Sequence, residues 1–147
     1  MSCLETNATL RVFSESLHPE EVSSIWGLSA TRPRPKEPDS KYRPRRECHY
    51  WSWSSDSQVH SQDGLEHIRA ITAILRDKGG QLEQLREAGC DIDVCCYWVS
   101  SGKWGPSLEV SDLNSLSALG LAIWWDVYFG DPEEYKEGAA AASGGGA

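Results

Sequence analysis

The sequence lacks any long hydrophobic run and any secretory signal, and each absence narrows the possible functions. No apolar stretch approaches the roughly 20 residues needed to cross a bilayer. Residues 1–13 lack the basic and long apolar regions of a signal peptide. We therefore expect a cytoplasmic protein without membrane contact. Its 147 residues, 39% of them apolar, predict one folded domain and not a disordered chain.

The cysteines show no sign of a disulfide framework or a structural zinc site. There are five, an odd number, and they lack the short paired spacings of such zinc sites. Cys95 and Cys96 are neighbours on a predicted strand, so their side chains point to opposite sheet faces. One metal alternative stays open, a site built from Cys48, His49, Cys90 and Cys95. We expect free thiols, no metal and no cofactor.

Charge is distributed unevenly along the chain. The segment from Arg32 to Arg46 carries seven cations and two acids, whereas the whole chain has a net charge of -8. A basic, proline-rich loop over residues 31–47 is therefore attached to an acidic body. Such a loop can contact phosphate, but charge runs more often lie in solvent or against the protein's own acids. The acidic body makes nucleic acid an unexpected partner.

Hydrophobic periodicity predicts an α+β fold. The pattern predicts strands over 8–13, 49–55, 91–100 and 121–130, with helices over 19–27, 63–78, 81–89 and 111–119. We expect a single-layer, mostly antiparallel sheet of four to five strands with helices packed on one face. The predicted organisation is an N-terminal extension (1–7), one domain (8–130) and an acidic, then Ala/Gly-rich, disordered tail (131–147).

Two stretches of the chain resemble each other. In each, a strand is followed by a leucine, a helix with an acidic first turn, and a Gly-Leu pair, which is Gly27-Leu28 in one and Gly120-Leu121 in the other. The spacings differ by two residues, so the pattern leaves open whether the two halves arose by duplication.

The segment 121–130, LAIWWDVYFG, predicts a buried strand that contains one charge, Asp126. Side chains alternate along a strand. One face then carries the apolar residues Ile123, Trp125, Val127 and Phe129. The other face carries an aromatic and acidic stripe of Trp124, Asp126 and Tyr128. A charge among aromatics needs a partner. The structural interpretation pairs Asp126 with Arg11, Arg32 or another arginine of the loop, and the functional one groups it with Asp91 and Asp93 in a carboxylate cluster.

These patterns predict a binding surface and no catalytic residues. The candidate binding residues are Trp124, Asp126, Tyr128, Tyr97, Asp93, Arg32, Arg45, Arg46 and Trp104. Exposed aromatic residues are typical anchors of interfaces, which is why Trp104, in a Gly-rich loop, is included. The four histidines belong to no nucleophile or metal motif, although a dyad of Cys95 with His49 across strands is an alternative.

Ordered motifs across the chain resemble the bacterial family called domain of unknown function 4279. They are a helix that begins Pro-Glu-Glu, a Gly-Leu-x-x-Thr-Arg turn at residues 27–32, a Trp-Ser strand, a long Leu/Ile helix and a closing strand over 119–128. The likeness covers residues 8–130. The family's usual Lys-Gly-Asp is here Lys36-Glu37-Pro38. The resemblance implies a compact α+β domain of uncharacterised activity and no catalytic residues.

The sequence favours a non-enzymatic binding protein. A small acidic domain suits an immunity or antitoxin role, in which it neutralises a basic, toxin-like protein by charge complementarity. One alternative is a small-molecule or nucleotide binder, or an enzyme, that uses the basic loop with the Trp124, Asp126 and Tyr128 face. A third possibility is a homodimer through the open sheet face.

Overall fold

A computed structural model describes residues 3–37, 47–102, 104–131 and 133–134. Four strands form one sheet: β1 (Cys3–Ser14), β2 (His49–Ser54), β3 (Asp91–Ser100) and β4 (Ala122–Phe129). Four α-helices accompany them: α1 (Pro19–Trp26), α2 (Gly64–Leu75), α3 (Gly79–Glu87) and α4 (Val110–Leu119). The α+β prediction is confirmed. None of these helices is long and apolar enough to span a membrane.

The sheet has the order β2-β1-β3-β4. β1 pairs antiparallel with both β2 and β3, whereas β3 and β4 are parallel and are joined through α4. The prediction of a mostly antiparallel, four-stranded sheet is confirmed. β1 begins at Cys3, so residues 3–7 belong to the sheet and the predicted N-terminal extension is wrong for them. The predicted tail, apart from 131 and 133–134, lies outside the described residues.

Local sequence signals set the helix ends. Pro19 occupies the first turn of α1, and the backbone N–H of His18 donates to the carboxylate of Glu21 at 2.8 Å. The carboxylate of Asp63 accepts the backbone N–H of Leu65 at the start of α2. Gly27 ends α1 with a φ of 68°, a left-handed conformation that favours glycine.

The helices cover one face of the sheet. Alternate residues of β1, β2 and β3 point into this core, where they meet apolar residues of the helices. The largest fully buried members are Trp26, Trp51, Leu10, Ile68, Ile71, Leu75, Leu82 and Leu85. The opposite face carries no helix in the described structure and is here called the open face. It carries the polar and aromatic residues on which a binding site can be built.

β4 differs from the prediction of a buried strand. Only Ile123, near its start, packs against the core, and the residues from Trp124 to Phe129 are exposed on both faces. The reason is topological, because β4 is an edge strand and the helices do not extend over its second half. Asp126 is therefore exposed, and the premise that it is a buried charge in need of a partner is wrong.

Candidate functional site: the open face of the sheet

Three of the candidate residues lie side by side on the open face of β4. Trp124, Asp126 and Tyr128 alternate with the helix-side residues, as the strand period requires. The register of β3 and β4 places Tyr97 beside Asp126. The rings of Tyr97 and Tyr128 lie 5.5 Å apart, centroid to centroid, within the range of favourable aromatic pairs. We call these four residues, Tyr97, Trp124, Asp126 and Tyr128, the aromatic–acidic patch.

Asp93 lies on the same face but its carboxylate is already engaged. Arg11 of β1 donates two hydrogen bonds to it, at 2.6 and 2.7 Å, in a bidentate pair. Burial alone would lower the pKa of the Arg11 guanidinium, but the hydrogen bonds and charge of Asp93 outweigh burial and raise it. Arg11 is therefore the partner of Asp93 and not of Asp126.

Within the described residues Asp126 takes part in no ion pair. Those residues also contain no group of three or more His, Cys, Asp or Glu side chains that could hold a metal ion. The alternative that groups Asp126 with Asp91 and Asp93 therefore gives no metal site among the described residues. Asp126 is instead a solvated charge between two exposed aromatic side chains.

The described part of the basic loop lies at the opposite edge of the sheet. Residues 31–34 run along β2, where Arg34 and Tyr50 exchange backbone hydrogen bonds of 2.7 Å. The Arg34 guanidinium stacks over the Tyr50 ring at 4.9 Å. Three strand spacings, about 14 Å, separate β2 from β4. Arg32 is thus not part of the aromatic–acidic patch, and Arg45 and Arg46 lie outside the described residues.

Trp104 is exposed but belongs to a different surface. It follows β3 and lines an open groove of about 730 Å³ with Trp98, Cys3 and the first residues of α2. The indole N–H of Trp98 is itself buried and has no hydrogen-bond partner in the described structure. Exposure of Trp104 was predictable from its Gly-rich loop, but its separation from β4 was not.

A serine–histidine pair that no sequence pattern indicated lies in the core. Ser55 and His67 are both buried, with Ser55 Oγ 2.7 Å from His67 Nδ1 and His67 Nε2 2.8 Å from the carbonyl of Ser61. Because a carbonyl only accepts, Nε2 carries the proton and the Ser55 hydroxyl donates to Nδ1. The backbone N–H of Ala8 donates to Ser55 Oγ at 2.9 Å. Every polar atom of this pair is used internally, so its arrangement is structural.

The predicted alternative of a Cys95–His49 dyad is wrong. His49 points into the helix side at one edge, where its Nδ1 accepts the backbone N–H of Lys36 at 3.0 Å. Cys95 lies on the open face beside Trp124, and burial raises the pKa of its thiol, which disfavours the thiolate.

Comparison with known proteins identifies a family and gives no activity. The family described as domain of unknown function (DUF4279) matches residues 4–130, which include the four described helices and the whole described sheet except Cys3. No match was found among curated proteins or among solved structures. The expected resemblance is confirmed over almost the whole described chain, and the protein belongs to the family domain of unknown function 4279.

Proposed function

We propose that this protein is a non-enzymatic binding protein whose open sheet face engages a basic protein, in the manner of an immunity or antitoxin protein. The aromatic–acidic patch carries this proposal. Trp124 is 61% exposed and Tyr128 is 51% exposed, on either side of the solvated carboxylate of Asp126. Large aromatic residues around a charge are the usual anchors of protein interfaces.

The charges of the molecule support a basic partner. The net charge is -8, although the basic loop alone contributes several cations. Three arginines of the folded body are held by the protein itself: Arg11 by Asp93, Arg69 by Asp112 and Glu109, and Arg86 by carbonyls at the end of α4. Asp126, which takes part in no ion pair within the described residues, and the net negative charge can steer a cationic protein toward the open face.

Co-expression with the product of the neighbouring open reading frame tests this function, with affinity measured by titration calorimetry. Trp124→Ala and Tyr128→Ala are each expected to weaken binding at least about tenfold, as interface anchors do. Asp126→Lys is expected to weaken binding and to reduce its dependence on salt. Trp104→Ala is the matched control, because Trp104 is exposed but lies off the patch.

Two outcomes would contradict the proposal. In the first, the co-expressed protein forms no complex. In the second, Trp124→Ala binds as tightly as the wild type, which would place the interface elsewhere. Since Trp124 is exposed, Trp124→Ala is expected to keep the wild-type melting temperature, so lost binding is separable from lost folding. Tyr128→Ala also loses the ring pair with Tyr97, so its melting temperature is expected to fall slightly and is measured beside its affinity.

A second candidate function is the binding of a small molecule in the groove beside Trp104. The groove of about 730 Å³ supports it, because the exposed Trp104 and the ring of Trp98 line it and small molecules bind in concave, aromatic-lined sites. A thermal-shift screen with nucleotides and metal ions tests it, since a ligand of the native state raises its stability. Trp104→Ala should abolish such a shift while Trp124→Ala should not, and a screen without any shift would contradict this candidate.

A further inference from the structure

The helix side of β4 is uncovered over the second half of the strand. Trp125, Val127 and Phe129 share a face with Cys96 and Trp98 of β3, which belong to the core side of the sheet. They are nevertheless 40%, 46% and 80% exposed. Exposed apolar residues in one continuous strand mark an interaction surface, and this one is separate from the open face described above.

The two edges of the sheet differ in whether another segment pairs with their backbone. Residues 31–34 close the β2 edge, since Arg34 and Tyr50 exchange backbone hydrogen bonds and the Thr31 N–H donates to the carbonyl of Ser52 at 2.7 Å. At the other edge, β4 pairs with β3 alone among the described strands. Natural proteins protect their edge strands, so an apolar edge without cover is a site for pairing with another strand.

We infer that β4 pairs antiparallel with β4 of a second copy, around a twofold axis at Val127, and joins two four-stranded sheets into one. In this register Val127 faces its own counterpart and Trp125 faces the partner's Phe129. Asp126 faces the partner's Tyr128, so the one charge of β4 does not face itself. The strand is therefore complementary to its own copy, as a twofold interface requires.

The exposed area suits a weak, reversible dimer. With about 200 Å² for each aromatic side chain, less for valine, and their exposed fractions, the helix-side residues Trp125, Val127 and Phe129 expose about 300 Å² per chain. Burial on both protomers gives about 600 Å², the paired backbone adds to it, and the total falls in the range of weak, transient interfaces. The twofold axis is perpendicular to the sheet, so both open faces lie on the same side and stay available to a protein partner.

Sedimentation velocity of the full chain over a wide concentration range tests this inference. The wild type is expected to reach twice the 16.3 kDa of one chain. Because each copy carries a net charge of -8, dimerisation is expected to strengthen with salt, whereas binding of a basic partner weakens. Val127→Lys and Val127→Glu each place like charges on the axis and should weaken the dimer at least about 100-fold.

Mixing the two variants gives the decisive result. An equimolar mixture of Val127→Lys and Val127→Glu should recover a heterodimer, because opposite charges then meet on the axis. Val110→Lys, at another exposed apolar position, is the control and should dimerise as the wild type does. A wild type that stays monomeric at all concentrations, dimeric single variants, or a mixture that stays monomeric would overturn the inference. Tyr97 belongs to the aromatic–acidic patch but lies on β3, outside the paired strands, so Tyr97→Ala should leave the dimer intact while it weakens partner binding, and the two losses are distinguishable.

Discussion

At the scale of single residues, Ser55 shows how a polar group can be required in the core. Its hydroxyl accepts the N–H of Ala8 and donates to His67, and thereby links β1 to α2. Ser55→Ala would leave both partners buried without a hydrogen bond. We expect it to lower the free energy of unfolding by about 1–3 kcal/mol, measured by urea denaturation.

Ser57→Ala is the matched control for this prediction. Ser57 lies in the same short turn, but its hydroxyl is exposed and bonds only the carbonyl of Ser54. Its replacement should change the stability by less than about 0.5 kcal/mol. Equal losses in the two variants would mean that the turn itself, and not the buried network, is what Ser55 supports.

The cysteines should differ in reactivity according to burial. Burial raises the pKa of Cys96 to about 12, whereas Cys48 and Cys95 are only partly buried. Since the thiolate is the reactive form, iodoacetamide at pH 8 should modify Cys48 and Cys95 before Cys96 in the native protein. Mass spectrometry of digested samples at successive times measures the order. Early modification of Cys96 would show that the core opens on the timescale of the reaction.

At the scale of elements, His49 couples the stability of the β2 edge to pH. Its ring packs at a tilt against that of His18, with the ring centroids 4.1 Å apart, and burial and the charge of His18 lower the pKa of His49. Lys36, Glu20 and Glu21 are the other charges around it. Protonation at Nδ1 would also remove the acceptor of the Lys36 N–H.

The sign of the pH effect follows from the lowered pKa. Well above pH 6.5, the ordinary pKa of histidine, His49 is neutral in both states and its contribution to stability is complete. As the pH falls below that value, the unfolded chain takes up a proton that the folded chain resists, so stability decreases until the folded pKa is passed. Urea denaturation at pH 7.5 and 5.5 measures this loss, and His49→Asn should reduce it. An equal loss in the variant would assign the effect to other groups.

Local sequence signals predicted where helices and strands begin and end better than they predicted how deeply each element is buried. β3 spans Asp91–Ser100, as its alternation predicts, and α1 begins at Pro19. The pattern predicts that a helix ends at residue 78, before Gly79 and Gly80, yet neither glycine has a positive φ and α3 begins there. Without a left-handed conformation these glycines do not act as a helix cap, and the turn falls earlier, after Leu75.

The environment of β4 could not be predicted, because it depends on strand order. Alternation assigned Trp124, Asp126 and Tyr128 to one face correctly. Periodicity, however, does not tell whether a strand is central or at an edge, since a central strand has the same pattern. The pairing of Arg11 with Asp93 likewise depends on the register of β1 and β3, which brings together residues 82 positions apart.

At the scale of the whole molecule, the two similar halves of the sequence occupy related positions in the sheet, but their strand pairs differ in relative direction. β1 and β3 are central and β2 and β4 are at the edges, each edge strand following a helix. However, β2 is antiparallel to β1, whereas β4 is parallel to β3. A simple duplication would preserve both strand directions. The sequence likeness of the two halves is therefore better explained by the similar chemistry of two helix ends than by a repeated unit.

That shared chemistry yields a prediction about how the halves are joined. The Lys78 ammonium donates to the carbonyl of Trp26 at the end of α1, and the Arg86 guanidinium donates to the carbonyl of Leu119 at the end of α4. Cations stabilise helix C-termini, so Lys78→Met and Arg86→Met should each lower the free energy of unfolding by about 1–2 kcal/mol. Eight residues, or about 12 Å of helix, separate the two positions, so the double variant should lose the sum in urea denaturation. A loss much smaller than the sum would mean that α3 joins the two helix ends as one cooperative unit.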